Sequence, residues 1–242
     1  MVKIAFFGDS LTEGRPGASY FALLPALLPG DELFNYGRGG DAVGDAVERM
    51  NALPPNSQFD LAFLWIGTND VLMKLSPSFS MLRLLRGQER VRGLEGFKTS
   101  YRAALDVLRT RSACVVTVSP WFVGEDVSNS WNLELDALSA VVAALSAQFA
   151  DVRFLDLRTL FRNRLAAEAV IADYYPAGLM GIGRDLWTLS GREQMDRAAA
   201  ARGLHYTIDG THLNGRGAEI VAAHFAAAIQ DARTGGGRAI SY

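Results

Sequence analysis

The 242-residue chain has one cysteine, Cys114, and three histidines. A lone cysteine cannot close an internal disulfide, which excludes a disulfide-stapled scaffold; its place in the apolar run Ala113-Cys114-Val115-Val116 suits a small core residue better than a nucleophile. Charge of one sign is also lacking. Lys and Arg total 24 against 26 Asp and Glu, and a net charge of -2 makes no global field for a polyanion, so nucleic acid is not expected as a partner. No apolar run approaches the roughly 20 residues of a membrane span. Met1-Val2-Lys3 leads into only about five apolar residues before Gly8, too few for a secretory signal, and a cytoplasmic location is the expectation. There is no internal repeat, and the only low-complexity stretch is Gly235-Gly236-Gly237.

What remains is enough to build a core. At 49% hydrophobic and 21% charged, the chain can bury one full domain. Five short β-like runs span Val2 to Phe7, Glu32 to Tyr36, Leu61 to Ile66, Ala113 to Ser119 and Val152 to Leu157. Between them, Ser19 to Leu28, Asp41 to Leu53, Phe97 to Arg111 and Leu133 to Phe149 carry apolar residues at helical spacing, with Pro25 bending or shortening the first. The alternation predicts βαβ crossovers and an α/β fold: a five-stranded parallel sheet with helices on both faces. A last helix is predicted from Gly215 to Arg233, with Asn214 as its N-cap.

A single domain is expected over residues 1–234, with a flexible tail over residues 235–242. Two stretches break the alternation. Val71 to Gly96 reads as an irregular, basic insertion, and residues 162–206 form a second long connection holding a helix-like Ser190 to Arg202. Connections of that length are often functional loops.

Four short pieces carry reactive residue types: Gly8-Asp9-Ser10-Leu11-Thr12-Glu13-Gly14, Asn35-Tyr36-Gly37-Arg38-Gly39-Gly40-Asp41, Gly67-Thr68-Asn69-Asp70 and Asp209-Gly210-Thr211-His212. The first three each follow a predicted strand, so a parallel sheet would deliver them to one edge, where doubly wound folds place their sites. A serine hydroxyl needs a base, and histidine is the side chain best matched to the task. Asp209 could orient His212, leaving its other ring nitrogen for Ser10; alternatively the tetrapeptide is an Asx-type turn capping the last helix. Ser10 is either a nucleophile or a helix cap. The backbone N–H groups of Ser10 and Gly40 and the side-chain amide of Asn69 are candidate donors to an oxyanion, although Asn69 also suits a plain turn. Asp9 and Asp70 are assigned to loop support through backbone N–H groups. His224 lies in a predicted helix, where packing or exposure suits it, and His205 is ambiguous.

In order and spacing, from Gly8 to about Gly217, these pieces resemble the sequence blocks of the SGNH hydrolases, also called GDSL esterases and lipases. Ser10 matches the family nucleophile, Gly40 the block II glycine, Asn69 the block III asparagine, and Asp209 with His212 the block V pair. The resemblance implies a flavodoxin-like three-layer α/β/α fold, a Ser-His-Asp mechanism with no metal or cofactor, and hydrolysis of a small-molecule ester or thioester through an acyl-serine. Esters of small to medium acyl groups are the expected substrates, with thioesterase, lysophospholipase and carbohydrate acetylesterase activities as alternatives at the same site.

Two other classes weigh less. Gly37-Arg38-Gly39-Gly40-Asp41-Ala42 fits a dinucleotide-binding G-x-G-x-x-A, with Asp60 at about the right distance, but it lies at the second strand and Asp60 precedes the next strand instead of ending it. A non-catalytic carbohydrate- or lipid-binding module would not need every reactive position intact. Trp121 and Phe122 after the fourth strand, Met73, Phe79, Met81 and Leu82 in the first insertion, and Tyr174, Tyr175 and Trp187 in the second could line an apolar substrate pocket, or could simply pack these segments down. Arginines of the first insertion could meet an anionic group or form a solvated face.

Overall fold

The computed structural model describes residues 1–75, 81, 85, 93–168, 191–234 and 239–240. Strands β1 (Lys3–Gly8), β2 (Glu32–Gly37), β3 (Phe59–Trp65), β4 (Ser112–Val118) and β5 (Val152–Leu155) form one parallel sheet in the order β2-β1-β3-β4-β5. Each strand falls within two residues of its predicted run because an apolar sequence covered on both faces is its own signal. A sixth strand, β6 (Ala239–Ile240), pairs in parallel with Phe154 and Leu155. It comes from the segment predicted to be a frayed tail, and it covers unpaired backbone groups that β5 would otherwise present at the sheet edge. The rest of that predicted tail lies outside the described residues.

Alternation along each strand splits the core into two layers. Ile4 and Phe6 of β1, Leu61, Phe63 and Trp65 of β3, and Val116 and Val118 of β4 face one side; Ala5 and Phe7, Ala62 and Leu64, and Val115 face the other. Helices α2 (Leu24–Leu27), α7 (Leu157–Ala166) and α9 (Gly215–Arg233) cover the first face. The second face is covered by α3 (Val43–Asn51), α5 (Gly93–Arg111) and α6 (Ser130–Ser146). The result is the three-layer α/β/α sandwich. Phe225 of α9 locks the first layer, with ring centroids 4.7 Å from Phe63 and 4.8 Å from Tyr20. Burying a side chain of that size contributes roughly 1.5–3 kcal/mol. Cys114 is half-buried against this layer, and burial pushes its thiol up, as a packing role requires.

Three local outcomes differ from expectation. Ser19 to Leu28 splits into a 3-10 turn at Phe21–Leu23 and the four-residue α2, whose first turn accepts Pro25 because an N–H there has no helical partner to lose. Val71 to Leu75 is not irregular: it continues α4 (Thr68–Leu75), whose Val71, Leu72 and Met73 are buried. Likewise α5 starts at Gly93, ahead of the predicted Phe97. In the second connection, α8 (Arg192–Ala201) occupies nearly the predicted Ser190 to Arg202 span. Among the described residues no helix is long and apolar enough to cross a membrane.

The order of the strands places the site. From β1 the chain crosses to β2 on one side, and β3 then pairs with β1 on the other, so the carboxyl ends of β1, β2 and β3 flank a topological switch point. Ser10, Gly40 and Asn69 follow those three ends.

Candidate active site

Ser10 opens α1 (Ser10–Glu13), one turn of helix after β1. The capping role open to it is filled by its neighbour: Asp9 Oδ1 accepts the Leu11 N–H at 3.0 Å. The Ser10 hydroxyl is therefore released from the helix end, and its Oγ lies 3.0 Å from His212 Nε2.

Asp209 uses its two carboxylate oxygens differently. Oδ1 accepts the N–H groups of Thr211 at 3.0 Å and His212 at 2.8 Å, closing the turn, while Oδ2 lies 2.7 Å from His212 Nδ1. The last helix does not need this aspartate as a cap, because Asn214 accepts the Gly217 N–H at 2.9 Å. Asp209 and His212 are buried. Burial alone would push Asp209 up, but the His212 charge, its ring hydrogen bond and the two turn N–H groups outweigh it and hold the carboxyl below its ordinary range. An ionised acceptor favours a proton on Nδ1 and orients the ring so that Nε2 faces Ser10 Oγ.

The loop after β2 lies directly on α1. A Cβ at Gly37 would come within 2.1 Å of the Glu13 backbone nitrogen, so only glycine allows this approach. Glu13 Oε2 accepts the Gly39 N–H at 2.6 Å. Gly40 holds φ at 84°, a left-handed value that turns the loop toward α3. Asn69 Nδ2 donates to the Asp41 carbonyl at 3.0 Å, which defines which end of the amide is nitrogen and leaves a second N–H on it. Asp70 supports the same loop from below by accepting the Val43 N–H at 3.2 Å. Sequence reasoning missed Arg49. From the last turn of α3 its Nε lies 2.6 Å from Asp41 Oδ2 and its Nη atoms donate to the carbonyls of Tyr36 and Gly8 at 2.8 and 3.3 Å, tying together the ends of β1 and β2. Nothing in its local sequence marks it, since its partners are 8 to 41 residues away.

Asp9 has a second consequence. Burial, reinforced by Asp41 and opposed by the Leu11 N–H and the His212 charge, raises its carboxyl from the ordinary 3.8 to about 7. Between those values the folded chain holds a proton that the unfolded chain has released, so this group's contribution to stability declines as pH rises toward 7. Asp9→Asn is expected to flatten the decline in thermal melts taken from about pH 5 to about pH 8; an unchanged slope in the variant would contradict the assignment.

Of the remaining histidines, His205 Nδ1 lies 2.6 Å from Glu168 Oε2, and His224 Nδ1 lies 2.7 Å from the Ile220 carbonyl one turn back in α9. Neither meets Ser10. Trp121 and Phe122 do not line an open surface: they are 1% and 2% exposed, and Trp121 packs edge-on against Trp65 and Phe161. The Arg158 guanidinium sits over the Phe122 ring, 4.4 Å from its centroid. Both aromatics thus take the packing role, because β4 delivers them into the layer beneath α7 and α9. Met73 is buried and Met81 exposed, whereas Phe79, Leu82, Tyr174, Tyr175 and Trp187 lie outside the described residues.

Against known proteins, the sequence profile of the GDSL-like Lipase/Acylhydrolase family matches residues 6–220. No curated protein matches the sequence. Among solved structures, the acetyl xylan esterase AlAXEase aligns with a TM-score of 0.66 at 22% identity, over 94% of this chain and 100% of that one. Axe2, an acetylxylan esterase from Geobacillus stearothermophilus, aligns with a TM-score of 0.66 at 19% identity over 93% and 92% of the two chains. LAE5, described as an alpha/beta hydrolase enzyme from the metagenome of Lake Arreo, Spain, aligns with a TM-score of 0.65 at 18% identity over 95% of each.

Proposed function

The chain belongs to the GDSL-like lipase/acylhydrolase family and is a serine carboxylic ester hydrolase; on that premise we propose that it cleaves esters of small to medium acyl groups through an acyl-Ser10 intermediate. The observation that carries this reading is the continuous relay from Ser10 Oγ to His212 Nε2 at 3.0 Å and from His212 Nδ1 to Asp209 Oδ2 at 2.7 Å.

In this reading Ser10 attacks the acyl carbonyl while His212 Nε2 takes its proton, and the ionised Asp209 stabilises the imidazolium that forms. The developing oxyanion is met by the backbone N–H groups of Ser10 and Gly40 and by the spare N–H of Asn69. Each such donor contributes on the order of 3 kcal/mol when it is held in place before the charge appears. His212 then returns the proton to the leaving alkoxide, and water repeats the sequence to release the acid. Arg49, Asp70 and Glu13 keep the donor loop in place without touching the substrate.

The placement of the chain as one catalytic domain over residues 1–234 belongs to the same proposal. Two of the structural relatives are named for acetylated xylan, which makes a carbohydrate acetyl ester a specific substrate to test. A series of p-nitrophenyl esters of increasing chain length, run beside an acyl-CoA and an acetylated xylo-oligosaccharide, decides among these substrates. Highest kcat/KM on the short p-nitrophenyl esters is the expected result. A preference for the acyl-CoA or a long-chain ester by more than about tenfold, some 1.4 kcal/mol in transition-state binding, would replace the acyl-group assignment.

A further inference from the structure

Glu125 lies in the loop after β4, is 3% exposed, and takes no part in the chemistry described above. Its carboxylate is satisfied by the protein backbone. Oε2 accepts the N–H of His205 at 2.7 Å, and Oε1 accepts the N–H groups of Tyr206 at 2.8 Å and Thr207 at 2.9 Å, with the Thr207 hydroxyl at 2.8 Å. Three consecutive N–H groups around one anion form a nest, and donors of this kind can hold a buried charge without a cation.

What the nest belongs to gives Glu125 its meaning. Residues 205–214 fold back on themselves: Thr207 bridges Leu213, Ile208 N–H donates to the His212 carbonyl at 2.7 Å, and Asn214 N–H donates to the Tyr206 carbonyl at 3.0 Å. Asp209 and His212 sit at the tip of this hairpin-like loop, and Glu125 grips its stem from the neighbouring strand end. The residue before Glu125 holds the tip as well, with Gly124 N–H donating to the Gly210 carbonyl at 2.7 Å. We propose that Glu125 is a positioning residue that sets where His212 stands relative to Ser10. The proposal rests on the reading of Asp209 and His212 as orienter and base.

A carboxylate is required here by its two acceptor oxygens. The amide of a glutamine keeps one acceptor oxygen and turns two N–H groups toward backbone donors, so at least one of the three stem N–H groups loses its partner. The stem then shifts, and a displacement of about 1 Å at a reacting pair costs about a hundredfold in rate.

The test is Glu125→Gln in the full chain, with kcat counted per serine titrated by a fluorophosphonate so that misfolded protein does not enter. In this variant kcat on a p-nitrophenyl ester is expected to fall about 10- to 100-fold with KM within about threefold, because position and not binding is lost. Glu125→Asp, which keeps both oxygens on a shorter arm, should recover part of the loss. A downfield proton resonance from His212 Nδ1 should be present in the wild type and broadened or absent in Glu125→Gln. Folded Glu125→Gln with wild-type kcat per titrated serine and an unaltered His212 proton would overturn the proposal. Should that variant not fold, Thr207→Val removes one of the four hydrogen bonds and should cost about two- to fivefold in kcat; no loss would overturn the proposal equally. A wild-type chain that neither hydrolyses esters nor labels at Ser10 would instead defeat the functional reading, and the His212 resonance would still report on the loop.

Discussion

Ser10→Ala is expected to lower kcat for ester hydrolysis by about a millionfold and to leave the melting temperature nearly unchanged, as measured by turnover of a p-nitrophenyl ester and by thermal unfolding. In the proposed mechanism the rate loss follows from chemistry: without Oγ there is no acyl-enzyme, and His212 has only water to activate. The small stability effect follows from structure. Ser10 does not cap α1, since Asp9 does so through Leu11, and its partially exposed hydroxyl leaves no apolar cavity behind. Its backbone hydrogen bonds, from the N–H groups of Gly14 at 2.8 Å and Arg15 at 3.2 Å to the Ser10 carbonyl, survive the substitution. Surface-level changes of this kind stay within about 0.5 kcal/mol. Turnover retained in the variant would remove Ser10 from the mechanism.

Asp209→Asn is the second large effect, expected at about 10⁴-fold in kcat with a measurable loss of stability besides. Both oxygens of Asp209 are in use, one closing the turn through Thr211 and His212 and the other on His212 Nδ1. Asparagine has a single acceptor. If its oxygen faces the turn, its amide presents N–H to Nδ1 and enforces the tautomer in which Nε2 carries the proton and cannot serve as base. If its oxygen faces the ring, two buried turn N–H groups meet an amide hydrogen, at a cost of about 1–3 kcal/mol for each group left unpaired. Comparison of kcat and Tm between wild type and variant checks both halves of the argument. A kcat within about tenfold of wild type would show that ring orientation is not what Asp209 contributes.

These two expectations were within reach of the sequence because the residues concerned sit in short motifs whose order matched a parallel sheet. The same is true of the strands themselves, whose apolar runs are legible wherever both faces are covered. What was hidden depended on distant partners. Arg49 is one arginine on an amphipathic helix until β1 and β2 bring the Gly8 and Tyr36 carbonyls beneath it. Glu125 is one acid after a strand until a segment 80 residues away folds its N–H groups around it. Trp121 and Phe122 were misleading for a related reason: the end of a strand at an active edge still has an inward face, and their bulk is used there. The helical start of the first insertion was overlooked because it follows a glycine-containing turn that reads as loop, and burial of Val71 and Leu72 in the second core layer decides otherwise.

The proposed mechanism makes Ser10 the nucleophile that carries the acyl group, raised to reactivity by the relay through His212 to Asp209. Treating the folded protein with a fluorophosphonate and mapping the modified peptide tests it most directly. A single phosphonylated residue, Ser10, is expected, with labelling abolished in Ser10→Ala and slowed in Asp209→Asn. Folded wild-type protein that resists labelling, or that is labelled at another residue while ester hydrolysis persists, would contradict it.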